Sequence, residues 1–465
     1  MIASNRVPLP RQRTPQAGGL AVALRDAFGR EEGLWFGWSG EVTEQSSGKP
    51  RFVRAGRITY AVFDLGRTDY DHYYNGFANS SLWPLLHYRL GLVDFRREDF
   101  NGYLRVNRAM AEALKPLLRP DDLIWVHDYH LIPFGLELRR LGVANPIGFF
   151  LHTPFPPAGV MESLPAADSL GECFLAYDLV GLQTERDRRG FVDYVTYALG
   201  GRVRPDGRID AFGRSSRVAV FGVGIEAEEF AQQAAEAETS EETLRLKESL
   251  AGRQLIIGVD RLDFSKGLPN RFLAYGELLG RWPDHRAKVT YLQVAPTSRG
   301  EVAQYRSLRR ELEQIAGRIN GKYAEFDWVP LRYLNKTLSR RVLAGFYRLS
   351  RVGLVTPLRD GMNLVAKEYV AAQPAHDPGV LILSRFAGAA EALTAALLVN
   401  PFDIEAVAEA LHAALIMPSD ERRARWQAMM DQIKTDNARS WAQQFLAALR
   451  AARTDAPPVA VAGSA

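Results

Sequence analysis

An α/β fold built on two parallel sheets is the class this sequence predicts, and three observations predict it. Nine short apolar runs recur between residues 122 and 400, each followed by a turn and a helical stretch, and repeated β-turn-α units form parallel sheets covered by helices on both faces. Within the runs apolar residues follow one another with little alternation, as expected of strands buried on both faces. The chain has 465 residues, more than one hydrophobic core organises, so two or three domains are expected.

Taken in order, the strand candidates are DLIWVHD (122–128), PIGFFLH (146–152), DLVGLQT (178–184) and RVAVFGVGI (217–225), then QLIIGVDRL (254–262), KVTYLQVA (288–295), RVGLVTP (351–357), GVLILS (379–384) and ALLVN (396–400). Between the fourth and fifth lies an Ala/Glu-rich helical stretch, 226–252, with few large apolar residues. It reads as an exposed connector. The expected domains are therefore 1–224 and 225–440, with a helix at 441–452 and, from 453, a tail carrying two adjacent prolines and no periodicity, which reads as disordered.

Polar residues collect just beyond the strands: His127, Asp128 and His130, then His152, Arg261 with Asp263, Arg299 and Asp360. Ligands of open parallel sheets bind outside the carboxyl ends of the strands, so two such sheets facing each other would give a cleft lined by these groups. Each residue alone also reads as a cap or a satisfied loop residue; five strand ends carrying them together favour a site.

Two glycine turns concentrate charge. In TPLRDGMNLVAKEY (356–369) a strand ends before Pro357, and a helix follows Gly361. Backbone N–H groups of Met362, Asn363 and Leu364 would lie at the helix N-terminus, where the dipole favours an anion such as a diphosphate. The plainer alternative has Asp360 capping the helix, with Lys367 and Glu368 on a solvated face. In GVDRLDFSKGLPNRF (258–272) a strand ends at Val259 and a helix begins near Pro269, with Arg261 and Lys266 flanking the turn. An arginine fork and a mobile lysine suit a leaving diphosphate; local pairing of Arg261 with Asp260 or Asp263 is the alternative.

Bulk properties exclude several classes. Fifty-eight basic and 54 acidic residues are spread along the chain for a net charge of +4, without a basic tail, which argues against nucleic acid as a partner. No apolar run approaches a membrane span, and the first residues lack the apolar core of a secretory signal. The single cysteine, Cys173, offers no intramolecular disulfide and no cysteine metal cluster, which fits a reducing, cytoplasmic setting.

Ten segments then carry a resemblance: SNR, GGLAVAL, LWFGWSG, YYNGFANSSLWPLLHY, WVHDYHLIPF, GFFLHTPFP, RLDFSKGLPNRF, APTSRG, GRINGKY and TPLRDGMNLVAKEYVAAQ, running from residue 4 to about 400. In this order they resemble the trehalose-6-phosphate synthases, retaining glycosyltransferases that join glucose from a nucleotide sugar to glucose 6-phosphate in trehalose biosynthesis. The resemblance implies a glycosyltransferase-B architecture of two Rossmann-like domains, with the last helix returning to the first. On the donor side it implies Arg261 and Lys266 at the diphosphate and Asp360 at the hydroxyls of the transferred glucose. The backbone of Met362, Asn363 and Leu364 would meet glucose and phosphate, with Val365 also on the donor side, Glu368 would meet the ribose, and Gly18 and Gly19 would form a loop closing over the donor. On the acceptor side it implies Arg6, Tyr74 and Arg299 at the phosphate, Trp38 and Trp83 as sugar walls, and Asp128 and His152 at the reacting glucoses. Aromatic walls with a few directed polar groups suit a sugar.

Two departures from the family stand out. Only Met1, Ile2 and Ala3 precede SNR, where the family has a full apolar strand, so either the first strand is short or the chain's start lies upstream; Phe264 stands where the family often has tyrosine. No nucleophile emerges among the matched residues, and Asp128, the nearest carboxylate, matches the acceptor side. The implied reaction is therefore front-face transfer, with no covalent intermediate, no cofactor and no metal, since Arg261, Lys266 and a helix N-terminus take the place of a divalent ion. Rival readings are a related enzyme using another phosphorylated acceptor such as glycerol 3-phosphate, a silent sugar-phosphate sensor, and a phosphorylase carrying pyridoxal phosphate. The nucleotide base stays open among UDP, ADP and GDP, UDP being the family's commonest choice; a homo-oligomer stays open as well.

Overall fold

The structure, a computed structural model, describes residues 1–9, 24, 32–46, 48–297 and 303–454. Its described residues divide into two compact units, one of 1–9, 32–46, 48–221 and 441–454, the other of 222–297 and 303–440 together with Leu24.

Ten strands make the sheet of the first unit: β1 (Ile2–Arg6), β2 (Gly33–Thr43), β3 (Arg51–Ala55), β4 (Ile58–Gly66), β5 (Ile124–His127), β6 (Ile147–Phe150), β7 (Leu179–Leu182), β8 (Arg202–Val203), β9 (Arg208–Ala211) and β10 (Arg214–Val220). Their order is β3-β4-β2-β1-β5-β6-β7-β10-β9-β8. From β4 to β10 all neighbours are parallel, whereas β3 on one edge and β9 with β8 on the other are antiparallel. Every residue of β5, β6 and β7 is buried, which is why their sequences read as unbroken apolar runs. The edge strands gave no such signal because edges are polar and half-exposed; Phe52 of β3 is 56% exposed. Short as it is, β1 sits inside the sheet between β2 and β5.

Residues 441–454 of the last helix (Ala438–Thr454) complete this unit. The Phe445 ring stacks on Trp125 at 4.5 Å, and Trp441 meets the same indole at 4.8 Å. Phe445 fits because β6 and β7 carry glycine beneath it: a Cβ at Gly148 or Gly181 would lie 2.7 Å from the ring. This helix runs through Thr454, past the start of the expected tail at 453; residues from 455 lie outside the described set.

In the second unit six strands are all parallel: β11 (Gln254–Val259), β12 (Val289–Val294), β13 (Leu331–Leu334), β14 (Val352–Val355), β15 (Val380–Ser384) and β16 (Leu397–Val399), in the order β13-β12-β11-β14-β15-β16. Each face is covered by an apolar cluster, one holding Leu255, Ile257 and Leu381, the other Ile256, Leu354 and Ile382. The Ala/Glu-rich stretch expected to be an exposed connector belongs to the first cluster. It forms two helices, Ala227–Ala237 and Glu241–Leu250, that bury Phe230, Ala234, Ala237 and Leu250. Its face is made of small residues and so carries little hydropathy to read. No helix among the described residues is long and apolar enough to cross a membrane.

Candidate active site

In parallel sheets the strands point the same way, so residues just past each strand gather along one edge. In the second unit that edge carries both glycine turns. After β11 the chain passes Arg261 and makes a short 3-10 turn, Phe264–Lys266, capped by the Asp263 carboxylate accepting from Ser265 N–H at 2.9 Å. A helix, Leu268–Arg281, follows. After β14 come Pro357 and Asp360, then the helix Leu364–Ala372.

The turns are held against each other by backbone. Leu358 N–H donates to the Ser265 carbonyl at 2.8 Å. Gly267, at φ +65°, passes so close that a Cβ there would lie 2.8 Å from the Thr356 carbonyl oxygen. Gly267→Ala is therefore expected to cost about 1–2 kcal/mol in the left-handed conformation alone, and more in separating the turns, read as a lower urea midpoint together with lower kcat.

This closeness brings Lys266 and Asp360 together: Lys266 Nζ donates to Asp360 Oδ2 at 2.5 Å, both side chains nearly buried. Asn363 Nδ2 donates to the same oxygen at 3.0 Å, and its Oδ1 accepts from Ala366 N–H at 3.4 Å. Asn363 is thus the helix cap, at φ +73°. The capping role considered for Asp360 falls to Asn363, and Asp360 faces lysine instead. N–H groups of Met362, Asn363 and Leu364 precede or open the helix, where no helical carbonyl reaches them.

Beneath the turns lies Arg271, a residue to which the sequence reading gave no role. It is wholly buried. Its Nε donates to Thr356 Oγ1 at 3.0 Å and its Nη2 to the Lys266 carbonyl at 3.1 Å, while Nη1 lies 2.6 Å from Asp260 Oδ2. Burial raises the Asp260 carboxyl above its ordinary value, against the pull of Arg271 and Lys266. Asp260 is engaged by Arg271, while Asp263 accepts from Ser265 N–H and from the Tyr305 hydroxyl. The legible signal was position: Arg271 comes one helical turn after Gly267, on the side facing the sheet.

Lys367 and Glu368 do not form a solvated face. Lys367 is buried and donates to the Val223 carbonyl at 2.7 Å, and burial lowers its ammonium to about 8. Glu368 accepts from Arg340 Nε at 3.2 Å, and the Arg340 guanidinium lies 4.8 Å from the Phe230 ring centre. Val365 is half-buried against the first apolar cluster.

In the first unit a register shift at the end of β1 sets Arg6 opposite Trp38, and such bulges re-aim side chains. The Arg6 guanidinium sits 5.9 Å from the Trp38 ring centre, and Trp38 meets Tyr74 at 5.6 Å. Tyr74 in turn stacks on Tyr70 at 5.4 Å and on His130 at 5.7 Å. Tyr70 to Leu82 form a π-helix of 13 residues, a rare form concentrated at functional sites. Trp83 follows it and packs on His87 and Tyr129, so it belongs to a neighbouring aromatic group.

Asp128, directly after β5, has φ +75°, a conformation that costs an L-residue about 1–3 kcal/mol and that clusters at functional sites. Its Oδ1 accepts from the His152 backbone N–H at 3.2 Å, and the His152 ring meets His127, Nε2 to Nδ1, at 3.1 Å. Burial lowers both imidazoles, His152 to about 3. The structure therefore groups Arg6, Trp38 and Tyr74, joins Asp128 to His152, and gathers Lys266, Asp360 and Asn363 with Arg261 on the adjoining turn. Gly18, Gly19 and Arg299 lie outside the described residues.

Comparison with known proteins bears on all of these segments. The family model for glycosyltransferase family 20 matches residues 5–451. A trehalose-6-phosphate synthase of Cronobacter sakazakii is 50% identical over 450 residues, covering 97% of this chain and 94% of that protein. An alpha,alpha-trehalose-phosphate synthase (UDP-forming) of Burkholderia xenovorans, solved in complex with glucose-6-phosphate, superposes with a TM-score of 0.93 at 49% identity, covering 97% of this chain and 99% of that one. An E. coli structure bound with UDP-2-fluoro glucose gives 0.91 at 49% identity, covering 97% and 98%. With the match running through both units and every segment that the sequence singled out up to Tyr369, the chain belongs to glycosyltransferase family 20.

Proposed function

We infer that this chain moves glucose from UDP-glucose to glucose 6-phosphate with retention, giving α,α-trehalose 6-phosphate and UDP. The observation that carries the reading is the Lys266–Asp360 pair at 2.5 Å on two interlocked glycine turns at a helix N-terminus. An ammonium has three N–H donors; one is spent on Asp360, which leaves two for a diphosphate, while Asp360 is held beside it for sugar hydroxyls. Relatives bound with glucose-6-phosphate and with a UDP-glucose analogue support both substrates.

The step needs no protein nucleophile. The acceptor's anomeric hydroxyl attacks C1 of the donor glucose on the face from which UDP departs, the C1–O bond to phosphate breaks, and a phosphate oxygen takes the hydroxyl proton. Arg261, Lys266 and the N–H groups of Met362 to Leu364 meet the charge that grows on the diphosphate. Glu368 serves the ribose, Val365 lies on the donor side, and Gly18 and Gly19 belong to the covering loop. Arg6, Tyr74 and Arg299 hold the acceptor phosphate, with Trp38 and Trp83 as walls and Asp128 and His152 at the reacting sugars. Charged substrates of this kind do not cross membranes unaided, which supports a cytoplasmic site of action.

The test is nucleotide release from UDP-, ADP- and GDP-glucose with glucose 6-phosphate, glycerol 3-phosphate or no acceptor. UDP release dependent on glucose 6-phosphate is expected; dependence on glycerol 3-phosphate instead would overturn the acceptor. Arg6→Ala, and likewise Arg299→Ala, should raise KM for glucose 6-phosphate about ten- to hundred-fold, the worth of one charge-assisted hydrogen bond. Calorimetric UDP affinity should stay unchanged. Loss of UDP binding with acceptor preference intact would move these arginines to the donor side.

A further inference from the structure

His127 and His152 meet ring to ring in the first unit, His127 Nδ1 to His152 Nε2 at 3.1 Å. A hydrogen bond between two neutral imidazoles holds one proton, so one ring donates and the other accepts. Whichever nitrogen of His152 is left over takes the opposite character. The position of a single proton thus decides whether His152 offers the substrate a donor or a lone pair.

The surroundings of His127 decide it. Its other nitrogen, Nε2, is buried and has no hydrogen-bond partner. The same aromatic shell contains the Trp441 indole, 6.2 Å away between ring centres, whose N–H is also buried without a partner. A proton on His127 Nε2 would add a further unpaired donor to the apolar shell that already holds the Trp441 N–H, and unpaired buried N–H groups are rarer than under-used acceptors. A lone pair at Nε2 adds none. The proton of His127 therefore belongs on Nδ1, His152 Nε2 accepts it, and His152 carries its own proton on Nδ1.

We propose that His127 is a positioning residue that fixes His152 in the Nδ1–H form, so that the ring presents a hydrogen-bond donor to a substrate hydroxyl. This rests on the reading above that His152 touches the reacting sugars. Burial of both rings keeps them neutral across the working range, so the arrangement is a fixed tautomer.

Long-range proton–nitrogen correlation spectra of the full chain with isotope-labelled histidine test it directly, His152 being assigned by its loss in His152→Gln. The expected spectrum shows His152 protonated at Nδ1 and His127 likewise; protonation of His152 at Nε2 overturns the proposal. In His127→Phe, which keeps an aromatic ring, kcat should fall about ten-fold with UDP affinity unchanged. His127→Asn, whose amide N–H lies near the lost Nδ1–H, should recover most of that loss. Unchanged kcat in the phenylalanine variant, or no recovery with asparagine, removes the positioning role. If His152→Ala kept full kcat, the contact between His152 and substrate would fail, while the proton assignment would still be decided by the spectra.

Discussion

Replacing Lys266 by alanine is expected to lower kcat about ten- to hundred-fold while leaving far-ultraviolet dichroism unchanged. Its ammonium is the charge held closest to Asp360, and in the proposed step it meets a diphosphate whose negative charge grows as the C1–O bond breaks. A hydrogen bond from a charged group contributes about 1.5–3 kcal/mol, which corresponds to one to two powers of ten in rate. Folding should survive, because Asp360 retains Asn363 as a donor at 3.0 Å and sits at the strand edge, where water can reach the gap. Arginine is not expected to substitute: a planar fork cannot occupy the place of a compact ammonium 2.5 Å from a carboxylate. Steady-state kinetics with both substrates varied would show the loss in kcat; a Lys266→Ala enzyme of parental kcat would remove the donor assignment.

The largest effect on stability is expected at Arg271. Arg271→Met removes a wholly buried guanidinium and leaves Asp260 without its ion-pair partner at 2.6 Å. Breaking a buried pair by deleting one member costs about 3–5 kcal/mol, so the urea midpoint should drop by about 1 M or more at a slope near 3 kcal/mol/M. Removing both charges, in Arg271→Met with Asp260→Leu, should restore most of that stability, because two apolar side chains need no pairing. Activity should not return with it, since the fork that joined Thr356 to the Lys266 carbonyl is gone. A double variant as unstable as the single would mean that the pair is not what Arg271 is kept for.

Most of the strands that the sequence disclosed are buried on both faces; β10 and β16, also among the candidates, are only partly buried. Strands such as β5 and β14, covered on both faces, cannot avoid apolar runs, and all nine candidates correspond to strands. Strands β2 and β4 escaped although each holds a run of four or more buried residues, and so did β13; the other misses were asymmetric or aperiodic. Edge strands β3, β8 and β9 are polar because they are edges, and the π-helix from Tyr70 to Leu82 spaces its backbone partners at five residues, as in Trp83 N–H to the Ala78 carbonyl, so it shows no ordinary helical stripe. The two glycine turns were legible as charge beside a helix start, but their interlocking was not, because it depends on backbone contacts between residues some 90 positions apart, as for Ser265 with Leu358. Arg271 escaped, and His127, read only as a strand-end polar group, gave no sign of its pairing with His152, for a related reason: a buried polar residue is defined by partners that a linear reading cannot assemble.

The packing of Trp441 and Phe445 on β5, β6 and β7 sets an order of events during synthesis. The aromatic face formed by Trp125 and Phe150 leaves the ribosome early, whereas the helix that covers it follows the whole of 222–440. At about 5–20 residues per second that interval is roughly 10–45 s. While it lasts the nascent first unit presents an uncovered aromatic surface, the kind of surface that holdase chaperones bind, and the second unit closes its own core only as its strands emerge. A ribosome stalled before residue 441 should therefore display a protease-sensitive first unit and a resistant second one.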